Sequence, residues 1–148
     1  MDFPLRIPFV DELGLQLLRM ADGEAELACP VQDRHLNSFR VVHGGVMMTM
    51  LDVAMAHAAR ATLAPAEAAQ TGALTVEMKT SFLRPGEGTR LRCTARVLHR
   101  TVTMAFCEAS VLLEGEGEVL AAHATGTFKF MRAVAGRERR IRPVQPAP

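Results

Sequence analysis

The run from Val46 to Ala61 contains only three ionisable side chains, Asp52, His57 and Arg60. Its apolar residues cover more than one helical face, which indicates a helix that other elements enclose. A chain of 148 residues, 49% of them hydrophobic, can form one such core and is too short for two ordinary domains. The sequence therefore predicts a single domain, residues 1–132, built around one buried helix.

The amino-terminal third contains turn signals that separate short elements. Pro8 to Leu13 is predicted to be a short helix that ends at Gly14, with the proline in its first turn. Two stretches, Leu15 to Met20 and Glu24 to Cys29, flank an Asp-Gly pair that is typical of a hairpin turn. We therefore expect two antiparallel strands before the long helix.

Strand-like alternation follows the long helix. From Leu74 to Phe82 the residues alternate with a period of two, as in a half-buried antiparallel strand. The alternation predicts two opposite faces, Val76, Met78, Thr80 and Phe82 against Thr75, Glu77, Lys79 and Ser81. Further strands are predicted at residues 90–97, 103–113 and 119–131. Runs of strands with one long helix indicate the α+β class, with an antiparallel sheet packed on the helix.

Composition argues against several classes of protein. Seventeen basic and sixteen acidic side chains give a net charge of +1, which provides no field for binding nucleic acid or an anionic membrane. No run reaches the roughly 18 apolar residues of a membrane span, and no secretory signal is visible. The three cysteines include no C-x-x-C pair and predict buried, reduced thiols of a cytoplasmic protein.

The sequence lacks the common fingerprints of metal, serine and nucleotide chemistry. The five histidines have no zinc-ligand spacing, no serine lies in G-x-S-x-G, and no phosphate-binding glycine loop is present. We therefore predict no metal and no cofactor. Residues 133–148 are rich in arginine and proline and are predicted to be a flexible tail. An alternative interpretation of this tail is a nucleic-acid-binding arm.

One carboxylate lies in the apolar helix, two turns after a glycine pair. Gly44 and Gly45 at a helix start would let a ligand approach unpaired amides, which suit a developing oxyanion. The alternative is that they only form a tight connection into the helix. Asp52 could act as a base or nucleophile, or it could be a structural carboxylate satisfied by Thr49 or by backbone donors.

The run from Asn37 to Ala54 resembles the central motif of hotdog-fold acyl-CoA thioesterases of the phenylacetate-degradation (PaaI) type. Residues 75–85 are similar to the strand and proline turn after the family's helix, and residues 121–127 to its last strand. The resemblance implies a long helix wrapped by an antiparallel sheet. It also implies homodimers formed by strand addition, often paired into tetramers as dimers of dimers.

The resemblance assigns roles to individual residues. Asp52 matches the catalytic carboxylate, and Gly44 matches the residue whose amide polarises the thioester carbonyl. Asn37 matches a residue that positions water or the thioester, and His43 a supporting hydrogen-bonder. In the family, Asn37 and Gly44 of one chain face Asp52 of the other. Contacts with the acyl-CoA substrate are expected from Gly45, Thr49, Thr75 and Arg100.

The expected reaction is hydrolysis of aryl or short- to medium-chain acyl-CoA to CoA and a free acid. Two alternatives share the fold. One is a non-catalytic protein that binds acyl-CoA or responds to it, since a fold does not dictate function. The other is a thioesterase for acyl groups carried on an acyl-carrier protein, which differs in its docking surface. The sequence does not decide among them.

Overall fold

Six antiparallel strands and one long helix follow one another in the predicted order. The structure is a computed structural model that describes residues 1–115 and 117–132, so the predicted tail lies outside the described residues. The elements are α1 (Pro8–Leu13), β1 (Gln16–Ala21), β2 (Glu24–Pro30), a 3-10 turn (Asp33–His35), α2 (Gly44–Arg60), α3 (Pro65–Ala68), β3 (Thr71–Phe82), β4 (Arg90–Arg100), β5 (Met104–Leu113) and β6 (Val119–Arg132).

The turn residues of the amino-terminal third adopt the conformations that the sequence predicts. Gly14 has φ 68° and its N–H returns to the last carbonyls of α1, so the helix ends there. Asp22 and Gly23 both have positive φ, 54° and 75°, as a two-residue hairpin turn requires. The predicted helix and hairpin are therefore confirmed.

The sheet curls around α2 and supplies most of the core. Its strand order is β1-β2-β4-β5-β6-β3, and every neighbouring pair is antiparallel. Residues that α2 turns towards the sheet are fully buried, and they pack with buried residues of the strands. These residues include Met50, Leu51, Ala54 and Ala58 of α2, and Leu27, Leu91 and Phe128 of the sheet. The predicted α+β class is confirmed.

One side of α2 is left open within the described chain, so the prediction that other elements enclose the helix holds only for the side against the sheet. Its partly or fully exposed residues recur every three or four positions and form one line along the helix. Met48, for example, is 39% exposed although it belongs to the apolar set. We call this line the uncovered stripe, and it consists of Gly45, Met48, Thr49, Asp52 and Ala56.

A β-bulge in β3 changes the faces that alternation predicts. The register with β6 shifts between Thr75, which pairs with Phe128, and Glu77, which pairs with Thr127. Val76 is the extra residue and is exposed, whereas Thr75 turns to the face that packs on α2. The predicted placement of Thr75 opposite the helix-facing residues is therefore wrong, because an inserted residue interrupts the period of two.

The connection from α2 to β3 is held by a short helix and by a buried arginine. It contains the short helix α3, and β3 begins at Thr71, earlier than predicted. The buried Arg60 side chain fastens this connection, since its Nε donates to Thr71 O (3.1 Å) and one Nη to Ala68 O (2.9 Å). These bonds satisfy a charge that burial would otherwise penalise.

The outer face of the sheet carries paired charges. Arg92 contacts Glu26 at 2.6 Å and Glu118 at 2.8 Å, while Arg96 contacts Glu108 at 2.6 Å. Arg92 and Arg96 of β4 are therefore paired with carboxylates on this face. No helix within the described ranges is long and apolar enough to cross a membrane.

Candidate active site

The amino-terminal end of α2 leaves one backbone amide without an acceptor. His43 is the N-cap residue, and its Nδ1 accepts a hydrogen bond from the Gly45 N–H at 2.8 Å. The Val46 N–H donates to His43 O at 2.9 Å. The Gly44 N–H has no acceptor among the described residues. It is therefore the donor available to a ligand, at the positive end of the helix dipole.

His43 is held in place by the buried residue His35. Its N–H donates to His35 O at 2.8 Å, and His35 is 1% exposed. Because Nδ1 accepts from Gly45, the proton of the neutral His43 ring lies on Nε2. The exposed imidazole can therefore donate one further hydrogen bond beside the free Gly44 amide.

The surroundings of both glycines leave little space for a side chain. A Cβ atom at residue 44 would lie 3.3 Å from Cε1 and from Cζ of the Phe82 ring. A Cβ atom at residue 45 would lie 3.0 Å from Nδ1 of His43 and would crowd the cap. The glycine pair thus makes a tight connection into the helix and also leaves an accessible amide. The two interpretations offered by the sequence are compatible.

Asn37 shapes the loop that leads to the helix. Its Oδ1 accepts from the N–H groups of Phe39 (2.9 Å) and Val41 (3.3 Å), and Arg40 has φ 63°. The side-chain NH₂ of Asn37 has no partner among residues 1–115 and 117–132. One end of the amide therefore holds the loop, and the other end remains able to donate to a ligand.

A second connection, which sequence reasoning missed, fastens the helix start to the segment after β3. The Val42 N–H donates to Gly86 O at 2.8 Å. A Cβ atom at residue 86 would lie only 2.7 Å from Cβ of Val42, so this close approach requires glycine. The sequence signal was the Pro85-Gly86 pair, which indicated only a turn.

Asp52 lies midway along the uncovered stripe and is only partly buried. The Thr75 hydroxyl donates to Asp52 Oδ1 at 2.5 Å, a contact that exists because the β3 bulge turns Thr75 inwards. The proposed alternative partner Thr49 is wrong, since its hydroxyl donates to Gly45 O at 2.8 Å. The second carboxylate oxygen of Asp52 has no partner in the described part of the chain.

The predicted residues form two groups within one chain. Asn37, His43, Gly44 and Gly45 lie at the helix start, whereas Thr49, Asp52 and Thr75 lie further along it. Asp52 follows Gly44 by eight positions, which is about 12 Å along a helix axis. A reacting carbonyl must lie about 3 Å from both the attacking group and the oxyanion donor. The two groups of one chain are therefore too far apart to act on the same bond.

Arg100 is not brought to either group. Arg100 of β4 pairs with Ala105 of β5. Ala105 pairs with Phe128 of β6, and Phe128 pairs with Thr75 of β3. Three strand spacings of about 4.8 Å therefore separate Arg100 from Thr75. The Arg100 guanidinium lies over the Phe130 ring, 5.2 Å from its centroid. The structure places this side chain at the end of the inner strand β4, three strands away from Thr75.

The cysteines have the properties of structural thiols. Cys29, Cys93 and Cys107 are unpaired and buried. Burial raises the pKa of each thiol, that of Cys107 to about 12, so all three are protonated and poor nucleophiles at neutral pH. No group of three or more His, Cys, Asp or Glu side chains is placed to hold a metal ion within the described residues.

Comparison with known proteins gives matches in sequence and in structure. The model of the thioesterase superfamily matches residues 39–120. The medium/long-chain acyl-CoA thioesterase YigI of Salmonella typhimurium is 31% identical over 137 residues, covering 85% of this chain and 87% of that protein. The acyl-coenzyme A thioesterase PaaI of Escherichia coli is 34% identical over 89 residues, covering 60% and 59%.

Solved structures show the same architecture. A thioesterase family protein from Silicibacter pomeroyi matches with a TM-score of 0.78 at 27% identity. The match covers 86% of this chain and 91% of that one. The residues that the family model matches include Gly44, Asp52 and Thr75, whereas Asn37 lies two positions before the matched range.

Proposed function

Because the chain belongs to the thioesterase superfamily and has its hotdog fold, we propose that it is an acyl-CoA thioesterase. The family resemblance found in the sequence is thereby confirmed. The observation that carries the proposal is the pair of groups on the open side of α2. One is the unpaired Gly44 amide and the other is the accessible carboxylate of Asp52.

The proposed enzyme is a homodimer, because one chain holds the two groups too far apart. The edge strand β3 pairs only with β6 within the described chain, so its other side offers unpaired backbone donors and acceptors. Leu74 and Val76 of β3 are exposed, as is Met48 of the uncovered stripe. Strand addition between two copies would cover these apolar groups and bring Asp52 of one copy opposite Gly44 of the other.

The chemistry follows from the two groups. On one route, Asp52 removes a proton from a water molecule while that water attacks the thioester carbon. On the other route, a carboxylate oxygen of Asp52 attacks the thioester carbon directly. Negative charge develops on the carbonyl oxygen and is stabilised by the Gly44 N–H. The carbon–sulfur bond then breaks, and CoA leaves as its thiol with the proton that Asp52 took from water. On the nucleophilic route the thiolate leaves, and water then hydrolyses the acyl–Asp52 anhydride to the free acid and the Asp52 carboxylate. Thr75 holds one oxygen of Asp52 and leaves the other oriented for the reaction.

The acyl group is proposed to be apolar. Met48 lies on the uncovered stripe and Phe82 lies against Gly44, so both sides of the candidate site carry apolar surface. One relative is named a medium/long-chain acyl-CoA thioesterase and another the acyl-coenzyme A thioesterase PaaI. The proposed substrates therefore include long acyl chains besides the aryl and short- to medium-chain groups expected from the sequence.

Three buried, unpaired thiols support the proposed cytoplasmic location.

Free thiol release from a panel of acyl-CoA thioesters tests the proposal. The panel contains phenylacetyl, benzoyl, short, medium and long acyl groups. We expect turnover of at least one member, and a loss of about 10²–10⁴ in kcat for Asp52→Asn on the best substrate. Full turnover by Asp52→Asn would contradict the mechanism. Tight binding without hydrolysis would favour a non-catalytic acyl-CoA-binding protein. A preference for carrier-protein thioesters over CoA thioesters would favour an acyl-carrier-protein thioesterase.

Mixing two inactive variants tests whether the site is shared. Asp52→Asn removes the carboxylate, and Gly44→Pro removes the N–H. A hybrid dimer of the two contains one site with both defects and one intact site. Random reassociation should therefore restore about one quarter of the wild-type sites. A mixture that stays as inactive as its components, with hybrids verified by mass spectrometry, would place the site within one chain.

A further inference from the structure

Phe82 lies against Gly44, whose N–H has no acceptor among the described residues. We propose that Phe82 is a positioning residue that forms, with Gly44, the wall of the oxyanion site. The ring limits where the thioester carbonyl can lie and excludes water from one side of the Gly44 N–H. This inference rests on the proposed thioesterase function.

The ring lies over the α-carbon of Gly44. Two of its atoms, Cε1 and Cζ, would be 3.3 Å from a Cβ at that position, and Cδ1 would be 3.9 Å away. These are side-chain contacts between β3 and the first residue of α2, which are far apart in the sequence. The space that a side chain at residue 44 would need is therefore partly taken by the ring.

The backbone on both sides of Phe82 is anchored, which keeps the ring in place. Phe82 pairs with Ala122 of β6, and the next two N–H groups, of Leu83 and Arg84, both donate to Ala121 O at 2.8 and 3.2 Å. The Arg84 side chain donates to Leu120 O at 2.9 Å. These bonds hold the end of β3 and therefore the Phe82 backbone from which the ring reaches Gly44.

Phe82 is 49% exposed, which distinguishes it from the aromatic residues of the core. Phe128, on the same side of the sheet, is fully buried. A large ring left half-open beside an unpaired donor presents an apolar surface to whatever binds that donor. A hydrogen bond shielded from water on one side is electrostatically stronger, and a fixed wall restricts the geometry of attack.

Kinetics of Phe82→Ala on the best acyl-CoA substrate test the inference. We expect kcat to fall about 10- to 100-fold with KM changed by less than about threefold, since misplacement by about 1 Å can cost 10²-fold in rate. Phe82→Tyr keeps the ring and should keep most of kcat. The matched control is Phe106→Ala, which removes a similarly exposed phenylalanine, 39% exposed, from the outer face of the sheet. It should leave kcat unchanged.

A double-mutant cycle with Gly44→Ala separates positioning from general damage. Alone, Gly44→Ala should lower kcat about tenfold because its Cβ displaces the ring or the amide. In the Phe82→Ala background, which frees that space, it should cost less than about twofold, a coupling of the size found for contacting residues. Thermal unfolding and size-exclusion chromatography check that each variant folds and assembles like the wild type.

The failures of the two proposals are distinguishable. If the wild type hydrolyses acyl-CoA but Phe82→Ala keeps its kcat, or if the two substitutions are additive, the inference about Phe82 is wrong and the thioesterase stands. An increase in KM alone would also overturn it, because Phe82 would then contribute only to binding. If the wild type hydrolyses no member of the panel, the thioesterase proposal itself fails.

Discussion

The two sides of α2 differ in what holds them. The side against the sheet is made of fully buried apolar residues such as Met50 and Leu51, and its position follows from packing. The uncovered stripe on the opposite side includes Thr49 and Asp52, whose contacts are individual hydrogen bonds. The side against the sheet thus stabilises the fold, whereas the uncovered stripe contains the candidate catalytic carboxylate. Substitutions on the first side should therefore lower stability, and substitutions at the candidate site should lower kcat.

The largest effect is expected on stability, at Leu51. Leu51→Ala leaves a cavity in a fully buried position and should cost about 2–5 kcal/mol in the free energy of unfolding. Met48→Ala, on the uncovered stripe, should cost less than about 1 kcal/mol. Urea unfolding of both variants measures the difference. Equal costs would mean that the stripe is packed like the core and that the comparison is wrong.

The next largest effect is expected on catalysis, at the helix start. Proline is tolerated at the first helical position, and His43, with φ −60° and ψ 134°, already has the conformation favoured before proline. Gly44→Pro and Gly44→Ala both add a Cβ, but only the proline removes the N–H. We expect kcat of the proline variant to lie about 10²–10³ below that of the alanine variant.

That comparison depends on an intact fold. Circular dichroism and unfolding midpoints of the two Gly44 variants should agree with each other. If their kcat values also agree, the Gly44 N–H is not the oxyanion donor, and the unpaired amide has another role.

A smaller catalytic effect is expected at Thr75. Thr75→Val keeps the shape of the side chain and removes the hydroxyl that donates to Asp52. Since the contact is accessible to water, which can replace it, kcat should fall only about tenfold. Thr75→Ser should restore most of the activity, and neither variant should change the unfolding midpoint. A fall in stability without a fall in kcat would make the hydrogen bond purely structural.

The smallest effect is expected on the pH dependence of stability, at the buried His57. This residue belongs to the packed part of α2. Its Nδ1 donates to Val53 O at 2.7 Å, and its Nε2 is buried without a partner among the described residues, with the Phe3 ring 5.2 Å away. Burial lowers the pKa of His57, and the Arg60 charge lowers it further. Protonation below the unfolded value of 6.5 therefore favours the unfolded chain.

The sign of that linkage can be measured. Stability should be fully present above pH 6.5 and should fall as the pH drops below it. His57→Gln should reduce this slope without abolishing it, because burial also lowers the pKa of His35. Unfolding midpoints measured from pH 7.5 down to pH 5 provide the test. Identical slopes for the variant and the wild type would show that His57 is not the titrating group.

Much of the fold could be predicted because its signals are local. The first helix, the Asp-Gly hairpin and the strands arise from turn residues and from periods of 3.6 and two. Two features of the structure differ from what hydrophobic periodicity predicts. The bulge at Val76 moves Thr75 to the helix side, and the open side of α2 contradicts the expectation drawn from its apolar composition.

The sequence by itself determined the family, the central helix and the two groups in the motif, because spacing along one segment specifies residues close in the chain. Only the tertiary structure decided which amide stays free, that Thr75 rather than Thr49 holds Asp52, and that Phe82 lies on Gly44. The contacts of Asp52 with Thr75 and of Gly44 with Phe82 join residues more than twenty positions apart. They depend on strand register and on the twist of the sheet, which periodicity does not encode.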